Sequence, residues 1–480
     1  MNKSIKKHKS HKRATTAKRR RRPAFRHGKN AGWICIEIAG EAYERGFSHG
    51  TQLVHELALV KKRLPFILKN ELKISYSQAI EFSHKNIEPV VKKAFPEYYE
   101  EIRGISEGAI SRGLDFSLTE LIAWNGLMTL YSHFVDGGFE NAAATAHSKR
   151  GGGEEGDDAA EGAQRCSAFI ATGDATSTGE IVMSHNSHVD FATGELFNII
   201  LHVIPPPHGK GTAFTMQTAP GLISSTTDWF ITDAGMIGCE TTIAGIRHKP
   251  RLMESPHFCR IREAMQYGRS IDDYISIMKK HNAGDYSCAW LFGDIKTGEI
   301  ARLELGIIES SVDRTFNGAF IGANEVVNPA LSAIETTNDI GLNNPATSVG
   351  SRHSRLEFLV NQKYYGKLDA KLAKKIIADH YDMYLHRDVG ATSVRTICKH
   401  VESANPKING TNPRRAYDLR GAYDGKVVTS KMAARGEFWA RFGSSCGRAF
   451  YIKKHVKKHP QYKKYLGMVD DLPSHPWVVV

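Results

Sequence analysis

Cysteines are few in this sequence, and no two of them form a CxxC pair. The seven are dispersed along the 480 residues, at Cys35, Cys166, Cys239, Cys259, Cys288, Cys398 and Cys446. An odd and scattered set argues against a zinc site and against a disulfide framework, and a reducing compartment explains it most simply. The sequence therefore predicts neither a bound metal nor an organic cofactor.

Long apolar runs are also missing. No stretch approaches the roughly 18 unbroken apolar residues of a membrane-spanning helix, and no repeat recurs at the periods of solenoid proteins. What is present is an ordinary globular composition, with 41% hydrophobic and 24% charged residues. A chain of this length builds one large domain or two ordinary ones.

Acidic residues are absent from the first 30 positions, which hold 13 of the 64 lysines and arginines. The rest of the chain is neutral, with 51 basic and 51 acidic residues, so the net charge of +13 belongs to this tail. We expect 1–30 to be a disordered basic tail, because it is too polar to pack. It lacks the apolar segment of a secretory signal, so an intracellular location, cytoplasmic or nuclear, is expected.

The tail has two interpretations that the sequence leaves open. Lys18–Arg22 followed by Pro23 fits a nuclear-localisation segment, or one that binds nucleic acid or another anionic surface. A solvated tail without a specific partner fits the composition equally well.

Helical periodicity dominates the next region, and we expect 31–135 to be the helical N-terminal part of the fold. Helices are predicted over 40–50, 53–72, 77–105 and 117–132, after a short strand over 32–38. Ser117 and Glu120 form the pattern of a capping box at the start of the last of these helices. Residues 136–165 are rich in Gly, Ala, Glu and Asp, which predicts a flexible linker or pro-segment open to proteolysis.

The character changes at Cys166, and we expect 166–480 to form the core. A hairpin is predicted over 167–172 and 180–184. Further strands are predicted over 197–204, 212–217, 229–232, 236–243, 288–294 and 299–305, and helices over 257–280, from near 354, and over 370–380. Runs of antiparallel strands between runs of helices indicate segregated layers. The predicted fold class is α+β, a four-layer αββα sandwich with Cys166 on a central strand.

A small nucleophile directly after a flexible linker, at the start of a strand, is typical of N-terminal-nucleophile hydrolases. In that chemistry the thiol attacks its own preceding peptide bond, and the freed α-amino group then serves as its base. The sequence therefore predicts Arg165–Cys166 as the cleavage site and Cys166 as the catalytic nucleophile. An ordinary buried cysteine is the alternative interpretation.

Polar clusters later in the chain supply candidate partners for this thiol. The second hairpin strand ends in His185, Asn186, His188 and Asp190, which would return close to Cys166; alternation places His185 on the face opposite to the other three. Their spacing is poor for a metal site, and surface hydrogen bonding is the other interpretation. Asn282, where a helix gives way to a strand, could donate to a tetrahedral oxyanion.

The order of these clusters resembles the phospholipase B-like family. The resemblance rests on Cys-Ser-Ala at 166–168, His-Asn at 185–186, PGLISSTTDW at 220–229, ETTI at 240–243 and NAGDYSCAW at 282–290. The opening GWICIEIAGEAYERGFSHG at 32–50 is also similar to that family. The family belongs to the N-terminal-nucleophile hydrolases, near the acyl-coenzyme A:isopenicillin N acyltransferase type and the bile-salt hydrolases.

The resemblance implies an αββα fold, autocatalytic maturation and hydrolysis of an amide or ester carbonyl in a lipid or N-acyl substrate. It implies catalytic roles for Cys166, His185, Asn186 and Asn282, with Asp190 a looser match. The candidate substrate-binding residues are His188, Thr241 and Arg355, where Arg355 could hold a carboxylate or phosphate. Members of the family are typically secreted or lysosomal, and the basic tail departs from that pattern.

Two other functions use the same features differently. An acyltransferase would form the same thioester on Cys166 and hand it to an amine instead of water. A catalytically silent hydrolase fold could instead act as an interaction protein anchored through its tail to nucleic acid or an anionic membrane.

The tail-anchored interpretation predicts that binding to a polyanion resides in residues 1–30. Deleting them should abolish binding to duplex DNA or to anionic vesicles, and the affinity of the full chain should fall steeply with salt because counterions are released. Titration at several salt concentrations measures both effects. Retention of binding by the truncated chain would contradict this interpretation.

Overall fold

A computed structural model describes residues 28–135, 165–225, 229–243, 245–336, 342–400 and 417–480. Residues 1–27 of the predicted tail and residues 136–164 of the predicted linker lie outside these ranges. The protein is α+β. None of the helices in the described ranges combines the length and apolar composition that crossing a lipid bilayer requires.

Helices form the N-terminal part, as expected, and recur between the strands. They are α1 Ala42–Gln52, α2 Val54–Ile67, α3 Tyr76–Phe82, α4 Glu88–Ala94, α5 Pro96–Ser111, α6 Leu118–Asn125, α7 Leu127–Phe134, α8 Phe191–Gly194, α9 His257–Tyr267, α10 Ile271–Lys279, α11 Pro329–Glu335, α12 Ser348–Leu356 and α13 Ala370–Ile376, with short C-terminal helices at Ser430–Ala433 and Ile452–Lys458. The predicted capping box starts α6, where the Ser117 hydroxyl accepts from the backbone N–H of Glu120.

Two large sheets form the centre of the molecule. Their strands are β1 Gly28–Asn30, β2 Trp33–Ala39, β3 Arg165–Gly173, β4 Gly179–Asp190, β5 Ile199–Ile204, β6 Phe214–Thr218, β7 Phe230–Thr232, β8 Met236–Thr242, β9 Cys288–Asp294, β10 Glu299–Leu305, β11 Ser310–Thr315, β12 Gly318–Gly322, β13 Tyr381–Asp382, β14 Arg387–Asp388, β15 Arg420–Ala422, β16 Asp424–Thr429, β17 Trp439–Phe442 and β18 Val478–Val479. The nine-stranded sheet has the order β1-β2-β5-β6-β7-β8-β9-β10-β11, and the seven-stranded sheet has the order β12-β3-β4-β16-β17-β18, with β15 paired to β4.

The two sheets contact each other through β3 on one side and β8 and β9 on the other. Along β3, Ala168 and Ile170 belong to the main apolar core, whereas Phe169 and Ala171 belong to a second core beneath α12 and α13. A Cβ placed on Gly293 of β9 would lie 3.0 Å from Ile170 Cδ1. Even-numbered residues at the start of β3 therefore face the nine-stranded sheet.

The N-terminal part is built into the nine-stranded sheet rather than attached beside it. Strand β2 pairs in parallel with β5, with Ile34 opposite Ile199 and Ala39 opposite Ile204. Residues from Trp33 to Val135 share one apolar core with residues that follow Cys166. Covalent continuity between the two halves is therefore not the main force that holds them together.

The structure differs from the sequence predictions in three places. Residues 28–30, predicted as the end of the disordered tail, form β1 and pair with β2.

The helix predicted over 257–280 is divided at Gly268, which ends α9. A Cβ there would lie 2.6 Å from the Tyr274 ring, so the chain turns where the next helix packs. Strands β11 to β18 were not predicted; Val312 of β11 is exposed, and the short GAFIG segment of β12 has little alternation.

Helices α1 and α5 cross with their backbones in direct contact. Each contributes two glycines four residues apart: Gly46 and Gly50 from α1, and Gly104 and Gly108 from α5. A Cβ on Gly46 would lie 1.9 Å from the Glu101 carbonyl oxygen, and one on Gly104 would lie 2.3 Å from the Tyr43 carbonyl oxygen. No side chain fits between the two helices at these positions.

We predict that Gly104→Ala destabilises the protein by about 2 kcal/mol or more, because overpacking forces the helices apart. The sign of this stability change is informative, because replacing a glycine by alanine inside a helix otherwise stabilises the helix by about 1 kcal/mol. Urea denaturation followed by circular dichroism measures the change. Gly209→Ala is the matched control, because its nearest atom would lie at 3.4 Å. A Gly104→Ala protein as stable as the wild type would contradict this packing.

Candidate active site

Cys166 is the second residue of β3, where its backbone pairs with Ser187 of β4. Its side chain is buried, with 5% exposed, and lies on the face of β3 that meets the nine-stranded sheet. Burial raises the pKa of the Cys166 thiol well above its usual range, and the Glu240 carboxylate raises it further. The backbone N–H of His188 and the Lys426 ammonium act in the opposite direction. Burial and the nearby carboxylate therefore favour the neutral thiol over the thiolate.

Asn324 binds the backbone nitrogen of Cys166. The N–H of Cys166 donates to Asn324 Oδ1 at 3.1 Å, and Asn324 Nδ2 donates to the Thr242 carbonyl at 2.8 Å. Asn324 is fully buried and follows β12 with a φ of 75°. Asparagine is among the few residues other than glycine that tolerate this left-handed conformation. The peptide nitrogen between Arg165 and Cys166 is therefore fixed by a built contact.

Arg352 of α12 holds the carbonyl side of the same residue. One guanidinium nitrogen donates to the Cys166 carbonyl at 2.6 Å and to Ser167 Oγ at 3.1 Å. The other donates to the Ala323 carbonyl at 2.9 Å and to Asn324 Oδ1 at 3.0 Å. Arg352 is fully buried. The Arg352 guanidinium thus orients both the backbone of Cys166 and the Asn324 side chain that binds it.

A buried ion pair lies in β16, the strand that pairs with β4 on the side away from β3. Lys426 Nζ donates to Asp424 Oδ2 at 3.0 Å and to Ser187 Oγ at 2.9 Å. Asp424 Oδ1 accepts from the backbone N–H of Ser187 at 2.8 Å, and Oδ2 accepts from Gln217 at 2.9 Å. A buried charge pair needs such additional hydrogen bonds to offset its desolvation. The charged pair is therefore anchored to Ser187, the residue of β4 that pairs with Cys166.

His185 lies on the same face of β4 as Ser187 and reaches the other sheet. Its Nε2 is 2.9 Å from the Glu240 carbonyl oxygen. Burial lowers the pKa of His185 well below its usual value, and Lys426 lowers it further. The imidazole is therefore neutral. Its contact with Glu240 connects the two sheets near Cys166.

Asn186 faces the opposite side, as alternation predicted, and organises the backbone there. Its Oδ1 accepts from the Ser167 N–H at 3.1 Å. Its Nδ2 donates to the carbonyls of Ile377 and Ile397, both at 3.1 Å, and lies 3.2 Å from Ser445 Oγ. Asn186 thus joins the residue after the nucleophile to three distant segments of chain.

The other two polar residues of β4 have different surroundings. His188 is buried, and its backbone pairs with Arg165 and with Ala422 of β15. Asp190 Oδ1 accepts from the backbone N–H of Thr193 at 3.0 Å, which caps α8. Burial, with a contribution from Glu71, raises the pKa of Asp190 to about 7. Its hydrogen bond to Thr193 is structural and does not involve Cys166.

Thr241 of β8 is fully buried between the sheets. A Cβ on Gly322 of β12 would lie 2.7 Å from Thr241 Oγ1. Gly322 pairs with Ala168, two residues beyond the nucleophile. Thr241 therefore lies between the sheets, close to the pairing of β12 with β3, and its role in substrate binding stays a prediction.

Asn282 is not brought to the thiol by any hydrogen bond that the structure records. Its Nδ2 donates to the Gly306 carbonyl at 2.8 Å, and its Oδ1 accepts from the Gly284 N–H at 2.8 Å. It lines a surface cavity of about 310 Å³ with Arg251 and Lys279. Both ends of the amide are used to shape this loop, and the role of Asn282 as an oxyanion donor stays a prediction.

Arg355 also lies apart from the nucleophile's contacts. It forms an ion pair with Asp379 at 2.8 Å, and its guanidinium lies 4.3 Å from the Tyr381 ring centroid. Arg352, three residues earlier on α12, makes the contacts with Cys166. The expected role of Arg355, to hold a carboxylate or phosphate of the substrate, stays a prediction.

One signal in the sequence pointed toward a missed residue. Asn324 follows a strand-like segment as an asparagine in Gly-Ala-Asn, a composition that suits a left-handed turn. Arg352 shares the buried face of α12 with Ser348 and Ser351, but that face is visible only in the structure. Asp424 and Lys426 had no comparable signal in an isolated sequence.

Comparisons with known proteins give distant likenesses. No family model matches the chain. An uncharacterized protein of Archaeoglobus fulgidus is 23% identical over 289 residues, which are 59% of this chain and 44% of the archaeal protein. The matched region thus spans less than half of that relative. The structure of penicillin V acylase from Agrobacterium tumefaciens aligns with 58% of this chain and 83% of that chain, at 10% identity and a TM-score of 0.32. The phospholipase B-like assignment stays a prediction.

Proposed function

We propose that this protein is a cysteine N-terminal-nucleophile hydrolase with a four-layer αββα fold, activated by cleavage between Arg165 and Cys166. The single observation that best supports it is the pair of contacts around Cys166. Asn324 binds the nitrogen of the scissile peptide, and Arg352 binds the carbonyl that follows. Every buried backbone group needs a partner, but here the partners are two buried side chains, one of which, Arg352, also binds the other.

Maturation begins with attack of the Cys166 sulfur on the Arg165 carbonyl carbon. A carbon–sulfur bond forms, the carbon–nitrogen bond breaks, and the thiol proton ends on the departing nitrogen, which becomes the α-amino group. Water then cleaves the thioester, releasing the Arg165 carboxylate and restoring the thiol. Asn324 favours this route because it holds the leaving nitrogen in place throughout.

Turnover repeats the chemistry on an external acyl group. The α-amine of Cys166, whose ordinary pKa is near 8, accepts the thiol proton while Asn324 Oδ1 orients it. The thiolate attacks the substrate carbonyl and a carbon–sulfur bond forms. The bond to the substrate's amine or alcohol then breaks, and the α-ammonium group gives that leaving group its proton. Water hydrolyses the thioester, which releases the acyl group as a carboxylate and restores the thiol. The backbone N–H of His188, which lowers the thiol pKa, stabilises the developing thiolate. An amide or ester carbonyl of a lipid or N-acyl compound is the substrate class that this chemistry accepts.

The burial of Cys166 supports a requirement for cleavage before catalysis. With 5% of the residue exposed, the thiol is closed to a substrate while the preceding peptide continues from it. Cleavage would free the chain end at Arg165 to move away. The fragments 1–165 and 166–480 would remain together because β2 and the N-terminal helices share the main core.

We predict that the purified wild-type chain contains a fragment that begins Cys-Ser-Ala-Phe, and that Cys166→Ala stays uncut. Cys166→Ser should cleave slowly, because a hydroxyl performs the same acyl shift less readily. Intact mass and N-terminal sequencing measure both. Cys35→Ala is the matched control, since Cys35 is equally buried but lies in β2. Normal cleavage of Cys166→Ala at 165/166 would mean that another protease does the work.

We also predict that Asn324 and Arg352, rather than Asn282 and Arg355, support turnover. Asn324→Ala and Arg352→Ala should each lower kcat/KM for an N-acyl or ester substrate by about 100-fold, a typical cost for a lost polar contact to the reacting centre. Asn282→Ala and Arg355→Ala serve as matched controls of the same residue types and should change it less than about threefold.

Maturation and turnover can be separated by replacing Gly162→Ile, Ala163→Glu and Gln164→Gly. The resulting Ile-Glu-Gly-Arg lets factor Xa cut directly before Cys166, so each variant is assayed as a cut protein. An equal loss of kcat/KM in the two asparagine variants, or in the two arginine variants, would contradict the roles proposed for Asn324 and Arg352. No turnover by the cut wild type on a panel of amides and esters would contradict the hydrolase itself.

A further inference from the structure

Four side chains that bind metals converge beside the segments held by Asn186. They are His380, Cys398, His400 and Cys446, whose ligand atoms all lie within 4.8 Å of one another. Cys398 and His400 are buried, while His380 and Cys446 are half-buried. Within the ranges that the structure describes, this is the group of three or more His, Cys, Asp or Glu side chains that has such spacing.

The separations suit tetrahedral coordination. His380 Nε2 and His400 Nε2 are 2.9 Å apart, and His400 Nε2 lies 3.3 Å from Cys446 Sγ and 3.6 Å from Cys398 Sγ. Zinc binds sulfur at about 2.3 Å and nitrogen at about 2.0 Å, so a tetrahedron places ligand nitrogens about 3.3 Å apart and sulfur about 3.5 Å from nitrogen. The observed values scatter closely around these.

We propose that this cluster binds one zinc ion as a structural Cys₂His₂ site. The two thiols would lose their protons on binding, and the two imidazoles would stay neutral. Two thiolates balance the charge of Zn²⁺, so the closed centre is neutral and suits its burial. Two imidazole Nε2 atoms and two sulfurs directed at one point fit a shared cation better than any set of pairwise hydrogen bonds, because each Nε2 can have only one such partner.

The chain around the ligands is already organised. The Cys398 N–H donates to the Asp379 carbonyl at 3.0 Å, which joins the first two ligand segments. Ser444 Oγ lies 3.6 Å from Cys446 Sγ, an outer contact of the kind that orients metal ligands. These contacts come from backbone that precedes or flanks each ligand, so the cluster does not depend on long exposed side chains.

The position of the cluster gives it a role. Ile397 and Ser445, each one residue before a cysteine ligand, are two of the three partners of Asn186 Nδ2. Asn186 in turn binds the Ser167 N–H beside the nucleophile. A zinc ion would therefore fix the two segments that position Asn186, and through it the start of β3. The ion takes no part in the acyl chemistry.

The test is metal analysis of the full-length protein purified without chelators from zinc-supplemented cells. We expect about one zinc per chain in the wild type, a background level in Cys446→Ser, and an unchanged level in Cys35→Ala. Cys166→Ala is measured in parallel and should also hold zinc, so the result does not depend on processing or on hydrolase activity. Removal of the metal by a chelator should lower the Tm of the wild type and leave that of Cys446→Ser unchanged.

Cobalt supplies a second readout that needs no destabilised variant. Wild-type protein from cobalt-supplemented cells should show thiolate-to-cobalt charge-transfer absorption and the visible bands of tetrahedral Co²⁺, and Cys35→Ala should show the same spectrum. Background metal in the wild type, or a Cys398–Cys446 disulfide found by peptide mapping without reductant, would overturn the proposal. Zinc that persists at full level in Cys446→Ser and Cys398→Ala would overturn it as well.

Discussion

The hydrogen bond from the Cys166 N–H to Asn324 Oδ1 is the contact on which the site depends. It crosses from β3 to the turn after β12, and Asn324 continues it to the Thr242 carbonyl of the opposite sheet. The Asn324 side chain therefore connects β3 at Cys166, the end of β12 and the nine-stranded sheet at Thr242. Arg352 strengthens this arrangement because it binds the acceptor oxygen of the same bond.

Around that contact, buried polar groups are placed in complementary pairs. Lys426 donates to the Ser187 hydroxyl, and Asp424 accepts from the Ser187 N–H. His185, which is neutral, contacts the Glu240 carbonyl of the opposite sheet. Each group satisfies part of another's hydrogen-bonding capacity, which is the condition for keeping charge inside a protein.

How much the sequence alone could predict depended on distance along the chain. The β3–β4 hairpin and the opposite faces of His185 and Asn186 follow from local alternation, and both agree with the register of the strands. The contact to Asn324 joins positions 158 residues apart, and no periodicity encodes such a pairing. Motif order led to Asn282 and Arg355 because residue type was visible, whereas the helix face and loop geometry that select Arg352 and Asn324 were not.

The dispersed cysteines illustrate the same limit. Their spacing argued against a metal site, because that inference assumes ligands supplied in close pairs along the chain. His380, Cys398, His400 and Cys446 come together through tertiary packing. Spacing rules detect small, local metal modules and cannot detect ligands gathered by a large fold.

The parallel pairing of β2 with β5 has a consequence for refolding. If the chain is cut before Cys166, the strand at the second position of the nine-stranded sheet belongs to a different molecule from the strand beside it. Unfolding then releases two chains, and recovery becomes a bimolecular search whose rate falls with dilution. The lifetime of the mature protein would then be set by its activation barrier to unfolding rather than by its equilibrium free energy of unfolding. Enzymes made from a zymogen behave in this way, because they fold once as a single chain and do not readily refold after cleavage.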